Sequence, residues 1–137
     1  MEKKLYEASR GNRVSEVKQI LSNTELRINW CDEDGLTALH TACFHDRAEV
    51  AEILLKHPGI DVNFLTDLGS TPLLVSSFFG TLSTLRLLLQ DSRVQIEAPD
   101  KKGCTALWQA VFKGRLIEVK WIMAVRGHEV RPARPLP

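Results

Sequence analysis

The chain lacks long apolar runs, an excess of charge of either sign, and paired cysteines. Runs such as Ile53-Leu54-Leu55 and Leu87-Leu88-Leu89 stop after three residues, far short of the roughly 18–20 a membrane-crossing helix needs. Residues 1–5 open on charge rather than on an apolar core, so no signal peptide is expected. Eighteen basic and seventeen acidic side chains leave a formal charge of +1, which gives no general attraction to nucleic acid or to an anionic membrane. The basic residues are dispersed among acidic ones without an aromatic–basic strip. Cys31, Cys43 and Cys104 are odd in number and unpaired in spacing. That is the pattern of free thiols in a reducing compartment, cytoplasm or nucleus, rather than of a disulfide framework.

Chemistry-bearing motifs are missing as well. Gly114 and Gly127 are isolated, so no glycine-rich loop is present to cradle a phosphate. Cys43-x-His45 has no second ligand pair for zinc. His40, His45, His57 and His128 have no nucleophile or carboxylate at a catalytic spacing. No catalytic, cofactor or metal residue is expected, and the protein is read as not an enzyme.

What the chain does have is a period. Gly35, Gly69 and Gly103 are 34 residues apart, each followed by threonine two residues on (Thr37, Thr71, Thr105) and leucine four on (Leu39, Leu73, Leu107). The register extends over four units: Leu5, Leu39, Leu73, Leu107; Ala8, Ala42, Ser76, Ala110; Val17, Ala51, Leu85, Val119; Ile28, Val62, Ile96, Val130. A fixed period in this range marks stacked supersecondary units rather than a core wrapped around a pocket. With 44% hydrophobic residues the units have enough apolar surface to bury against one another.

Each unit reads as two helices. The first opens at Thr37, Thr71 or Thr105, whose hydroxyl can accept from an orphan backbone N–H, with Pro72 at a first helical position. It stops near Asp46, Gly80 or Gly114; Gly11 of the first unit falls one residue off that register. The second helix spans about 48–57, 82–90 and 116–125, with apolar residues at helical spacing. Short alternating stretches follow, Ile60-Asp61-Val62-Asn63 and Val94-Gln95-Ile96-Glu97, and lead to Asp- and Gly-containing turns.

At Thr37-Ala38-Leu39-His40-Thr41-Ala42, Thr71-Pro72-Leu73-Leu74-Val75-Ser76 and Thr105-Ala106-Leu107-Trp108-Gln109-Ala110 the chain resembles the ankyrin-repeat family, whose signature is Thr-Pro-Leu-His-x-Ala. The period also suits tetratricopeptide repeats, but the Trp, Leu-Gly and Tyr which that pattern needs at set offsets are absent. The resemblance covers residues 2–130 and implies an all-α solenoid with short β-hairpin fingers. Its units would be 1–31, 32–65, 66–99 and 100–130, followed by a Pro/Arg-rich tail over 131–137. It also implies non-catalytic protein–protein recognition through a concave face built from hairpin tips and first helices. The alternative is a targeting or regulatory segment, or fragment, of a larger signalling protein whose activity lies elsewhere. A protein partner is expected, with no nucleic acid, membrane or cofactor.

Candidate contact residues are those the repeat leaves free. Phe44-His45, Phe78-Phe79 and Phe112-Lys113 end the first helices, and aromatic residues there suit interface anchors; the competing reading is packing between repeats. The tips run from acidic (Glu33, Asp34) through nearly neutral (Asp67, Leu68) to basic (Lys101, Lys102), a gradient able to orient a bound segment. Leu36 and Leu65 are expected to be exposed near the tips. Trp30 and Phe64 are assigned to packing, as are Leu74 and Trp108, which replace the family's signature histidine at His40. Asn63, preceded by Asp61-Val62 and eight residues after Leu55, resembles the context in which some ankyrin asparagines are hydroxylated. The competing reading is an asparagine that satisfies local backbone groups. The last second helix carries Trp121, Ile122, Met123 and Val125, where a terminal repeat needs a polar face. Self-association, cover by the tail, or continuation of a longer array would each account for it.

Overall fold

Three threonines start the first helices of their units as the spacing predicts. The hydroxyls of Thr37, Thr71 and Thr105 accept from the backbone N–H groups of His40, Leu74 and Trp108 at 3.3, 3.2 and 3.1 Å, and Pro72 occupies the first turn of its helix. The computed structural model describes residues 1–126. Their helices, in chain order, are α1 (Glu2–Arg10), α2 (Val14–Leu21), α3 (Ala38–Phe44), α4 (Ala48–Leu55), α5 (Pro72–Phe79), α6 (Leu82–Gln90), α7 (Ala106–Phe112) and α8 (Leu116–Arg126). Val130 and the tail over 131–137 lie outside the described residues.

The turn inside each pair has one solution repeated four times. Asn12, Asp46, Gly80 and Gly114 all adopt positive φ, at 57°, 54°, 69° and 68°. Gly11, with φ −82°, is therefore not the displaced equivalent of Gly80. Asn12 holds the register instead, because asparagine and aspartate are the side chains that best tolerate this conformation.

Helices pack like with like. The odd-numbered helices form one layer and the even-numbered helices another, each touching its counterpart in the next repeat. Ala8, Ala42, Cys43, Ser76, Ser77, Ala106 and Ala110 are fully buried in the odd layer; Leu54, Leu85, Leu88 and Ile122 are fully buried in the even one. The odd layer, on the same side as the turns before Thr37, Thr71 and Thr105, is the face that the family resemblance assigns as inner. The alternating stretches behave as read, with Ile60, Val62, Val94 and Ile96 buried while Asp61 and Gln95 face solvent.

The expected β-hairpin fingers are not confirmed as paired strands among the described residues. Among the described residues the sole trace of pairing is an isolated bridge between Cys31 and Thr37. The projections are tight turns: Asp32 N donates to Leu36 O and Gly35 N to Asp32 O, repeated at Thr66/Ser70 with Gly69 and at Asp100/Cys104 with Gly103. Thr37, Thr71 and Thr105 cap a helix directly after each turn, so no strand has room to grow.

Candidate functional site

Each finger is braced from within and tied to the next. The Asp32 carboxylate accepts from the N–H groups of Asp34 and Leu36, and that of Asp100 from Lys102 and Cys104. Thr66 replaces the aspartate in the middle finger and keeps one such bond, to Ser70 N at 3.1 Å. Between fingers, Asp67 N donates to Asp34 O at 3.0 Å and Lys101 N to Leu68 O at 3.4 Å. The contact is close: a Cβ built on Gly35, φ +82°, would lie 2.8 Å from Asp67 N. Glu33, Asp34, Asp67, Leu68, Lys101 and Lys102 are all exposed on this row, as is Leu65. Leu36 is half-buried rather than exposed, because its backbone closes the first turn.

At the other end of the inner layer, the phenylalanines form a cluster that crosses repeats. Phe44 of α3 meets Phe79 of α5 with centroids 4.3 Å apart, Phe79 meets Phe78 at 4.8 Å, and His45 lies against Phe44 at 4.7 Å. Lys113, next in register, places its ammonium 3.4 Å from the centre of the Phe78 ring and donates to Phe78 O at 2.8 Å. Burial, then the charges of Arg47 and Arg10, hold the His45 imidazole below its ordinary pKa. Packing between repeats and exposure occur together here: Phe44, Phe78 and Phe79 each keep nearly half of their surface in solvent. Phe112 stands apart from this cluster, stacked on Trp108 at 5.0 Å with planes 9° apart. Trp108 packs on Phe112 but stays half exposed, with no further repeat over it among the described residues.

Beside Phe79 a groove of about 330 Å³ is lined by Phe79, Gly80, Leu82, Arg115, Leu116, Ile117 and Glu118. Burial holds the Glu118 carboxyl above the usual carboxylate range, against the opposing charge of Arg115. Its Oε1 lies 3.7 Å from Arg115 Nη1, while Oε2 has no hydrogen-bond partner.

His40 ties its repeat to the next. Its Nε2–H donates to Ser70 O of the following finger at 3.1 Å, and Nδ1 accepts from Thr37 N at 3.1 Å. Burial pushes its pKa down to about 4, consistent with the neutral tautomer. Trp30 packs edge-on to Tyr6 and Phe64 edge-on to His40, as assigned. Two sets of ties escape the motif reading. Asn29 and Asn63, one period apart, each bridge to the next repeat: Nδ2 to Gly59 O and to Arg93 O, with Asp61 N and Gln95 N donating to Oδ1, all at 2.9 Å. The residue just before each second helix reaches back to the preceding inner helix, Arg47 to Arg10 O, Thr81 to Cys43 O, and Arg115 to both Ser77 O and Phe78 O. The register itself flags the asparagines; the reach-back residues differ in type, so no motif marks them.

No group of three or more metal-ligating side chains occurs among the described residues, and no described helix is long and apolar enough to cross a membrane. Residues 3–66 match the family model described as ankyrin repeats (3 copies). A 59-residue stretch is 36% identical to the palmitoyltransferase akr1 of Schizosaccharomyces pombe, covering 43% of this chain and 9% of that protein. The chain thus accounts for under a tenth of that relative's length. Past residue 66 the threonine caps, positive-φ turns and paired helix layers recur unchanged through α8. Over residues 3–66 the chain is similar to ankyrin repeats, and the units that follow continue the same geometry.

Proposed function

We propose that this is a non-catalytic recognition module that binds a partner protein along its inner face, between the finger row and the phenylalanine cluster. Ankyrin repeats are in general protein-interaction modules. The observation that carries the reading is the half-exposed run Phe44–Phe79–Phe78–Lys113 across three repeats. Large aromatic area left in solvent on a rigid scaffold is the composition of an interface anchor. The tips Glu33 and Asp34, then Asp67 and Leu68, then Lys101 and Lys102, supply a charge gradient that would fix the direction of a bound segment. Phe112 belongs to this face by register. The three free thiols suit a reducing compartment, the cytoplasm or nucleus.

The test is affinity for a partner captured with the wild-type chain and then purified. Phe78→Ala/Phe79→Ala should weaken binding at least about ten-fold with the helical circular-dichroism signal retained. A control pair on the even helices, Glu52→Ala/Arg86→Ala, should leave it unchanged. Equal affinity of a folded Phe78/Phe79 variant would sink the reading. A second reading, a regulatory segment of a larger signalling protein, draws support from the small share of the matched relative that this chain covers. Hydroxylation at Asn63 is a separate proposal that rests on sequence context alone. Intact mass after co-expression with an asparaginyl hydroxylase tests it, one added oxygen being the expected result.

A further inference from the structure

The two ends of the stack differ in kind. At the α1/α2 end the exposed side chains include Lys3, Lys4, Glu7, Arg10, Lys18 and Gln19, and Met1 is the one large apolar residue in the open there. That is the polar outer face a terminal repeat needs. At the α7/α8 end the register continues, but among the described residues its cover does not. Val111 occupies the position of Cys43 and Ser77, which the next repeat buries to 0%, yet it is 60% exposed. Val119 and Leu107 are half-buried, although Ala51 and Leu85, and Leu39 and Leu73, are fully buried at the same positions. Trp108 and Met123 are open where Leu74 and Leu89 are closed. A Cβ on Gly69 would press on Lys101, whereas one on Gly103 would meet nothing within 4 Å among the described residues.

The strip Leu107, Trp108, Val111, Val119 and Met123 is continuous over two helices and carries no charge. It is a stacking face, built to be covered. Past Arg126 the sequence departs from the finger register. Arg134, Pro135 and Pro137 stand where the last finger has Asp100, Lys101 and Gly103. Pro135 has no N–H to make the finger-to-finger bond that Asp67 and Lys101 make. Pro137 cannot take the +82° φ of Gly103. Head-to-tail stacking on another copy would press this strip against the lysines and arginine of α1 and α2, desolvating charge without a partner. The uncharged strip is instead compatible with itself.

We propose that two copies of this chain pair through the α7/α8 end face about a two-fold axis, strip against strip. In a two-fold interface the same patch serves both sides, so the polar ends point outward and both inner faces stay free. This surface meets the inner-face reading above only where Trp108 stacks on Phe112.

Sedimentation velocity on the full chain, from about 1 µM to about 200 µM, tests the proposal. The wild type should shift from monomer to dimer across that range. Val111→Arg, at a site open enough to accept the side chain, should weaken dimerisation at least about ten-fold with an unchanged far-ultraviolet spectrum. Met123→Glu should do the same and stands in if the first variant misfolds. Lys4→Glu/Lys18→Glu should leave the dimer intact. A wild type that is monomeric throughout, growth into larger assemblies, dimerisation unaffected by both end-face variants, or loss of the dimer in the lysine variant would each overturn it.

Discussion

The Asp46 carboxylate accepts a hydrogen bond from the backbone N–H of Thr84 at 3.0 Å, so a turn in one repeat caps a helix in the next. Helix α6 needs that outside help. Its own N-cap residue, Thr81, makes no side-chain cap bond and spends its hydroxyl on Cys43 O at 2.7 Å. Asp46 must also hold φ at +54°. Asp46→Ala should therefore lose the cap and keep an unfavourable backbone, costing about 1–2 kcal/mol. Asp46→Asn retains an acceptor and the tolerance for positive φ and should stay within about 0.5 kcal/mol of wild type. Urea unfolding of the two variants side by side separates these outcomes.

One interface further on, the carboxylate changes sides. Gly80 replaces Asp46 and Glu118 replaces Thr84, so the acid now sits on the capped helix, beside Arg115. Glycine at position 80 makes the room: a Cβ there would lie 2.8 Å from Arg115 Nη1 and 3.3 Å from Glu118 Oε1. Arg115 cannot easily withdraw, since Nη1 is held by Ser77 O and Phe78 O, both at 2.8 Å. Gly114 has the same positive φ but nothing within 4 Å among the described residues. Gly114→Ala should cost about 1 kcal/mol from the backbone alone. Gly80→Ala should cost distinctly more, about 2–3 kcal/mol, because it also displaces a charged hydrogen-bonded group. Thermal midpoints that fall equally would contradict the crowding argument.

Much of this architecture was legible because it depends on one residue's own chemistry. The hydroxyls of Thr37, Thr71 and Thr105 cap the helices they precede, and a glycine, asparagine or aspartate turns where φ is positive; both repeat at a countable interval. The hairpin fingers are not confirmed as paired strands, because alternation in Val94-Gln95-Ile96 reports which side faces the core, not whether a second strand is available. The cluster of Phe44 with Phe79 was legible as a ladder but not as a contact, since it pairs unlike registers. Trp108 packs on Phe112 yet stays half exposed. Its burial depends on a neighbouring repeat, and its own sequence looks the same with or without one.

Asn63 illustrates how far register alone can carry. It matches Asn29 one period earlier, and each side-chain amide donates one hydrogen bond to and accepts one from the backbone of the following repeat. Asn63→Ala removes a donor and an acceptor together and should cost about 1–2 kcal/mol. Asn63→Asp keeps the acceptor for Gln95 N but turns a carboxylate oxygen toward Arg93 O, where a donor is required. It should be at least as damaging at neutral pH and recover in part when the carboxyl is protonated below about pH 4. Chemical denaturation of both variants at neutral and acid pH checks the ordering.

His40 makes the fold sensitive to acid. Its buried imidazole has a pKa of about 4 in the folded chain, against about 6.5 when unfolded. Between those values the unfolded chain binds the proton and the folded chain does not, so acid favours unfolding. The contribution is fully present above about pH 6.5, declines as pH falls toward 4, and is exhausted below it. The difference amounts to about 3 kcal/mol. A proton on Nδ1 would also face the Thr37 N–H, at 3.1 Å, setting donor against donor. Glu118 tilts the other way, since its raised carboxyl pKa makes the folded chain the better proton acceptor there, and His40→Asn isolates the imidazole from that background. The variant should be less stable than wild type at pH 7.5, having lost the tie to Ser70 O, yet its unfolding free energy should fall less steeply between pH 6.5 and 4.5, by about one proton's worth of slope. Equal slopes in urea titrations at those pH values would show that His40 is not the group responsible.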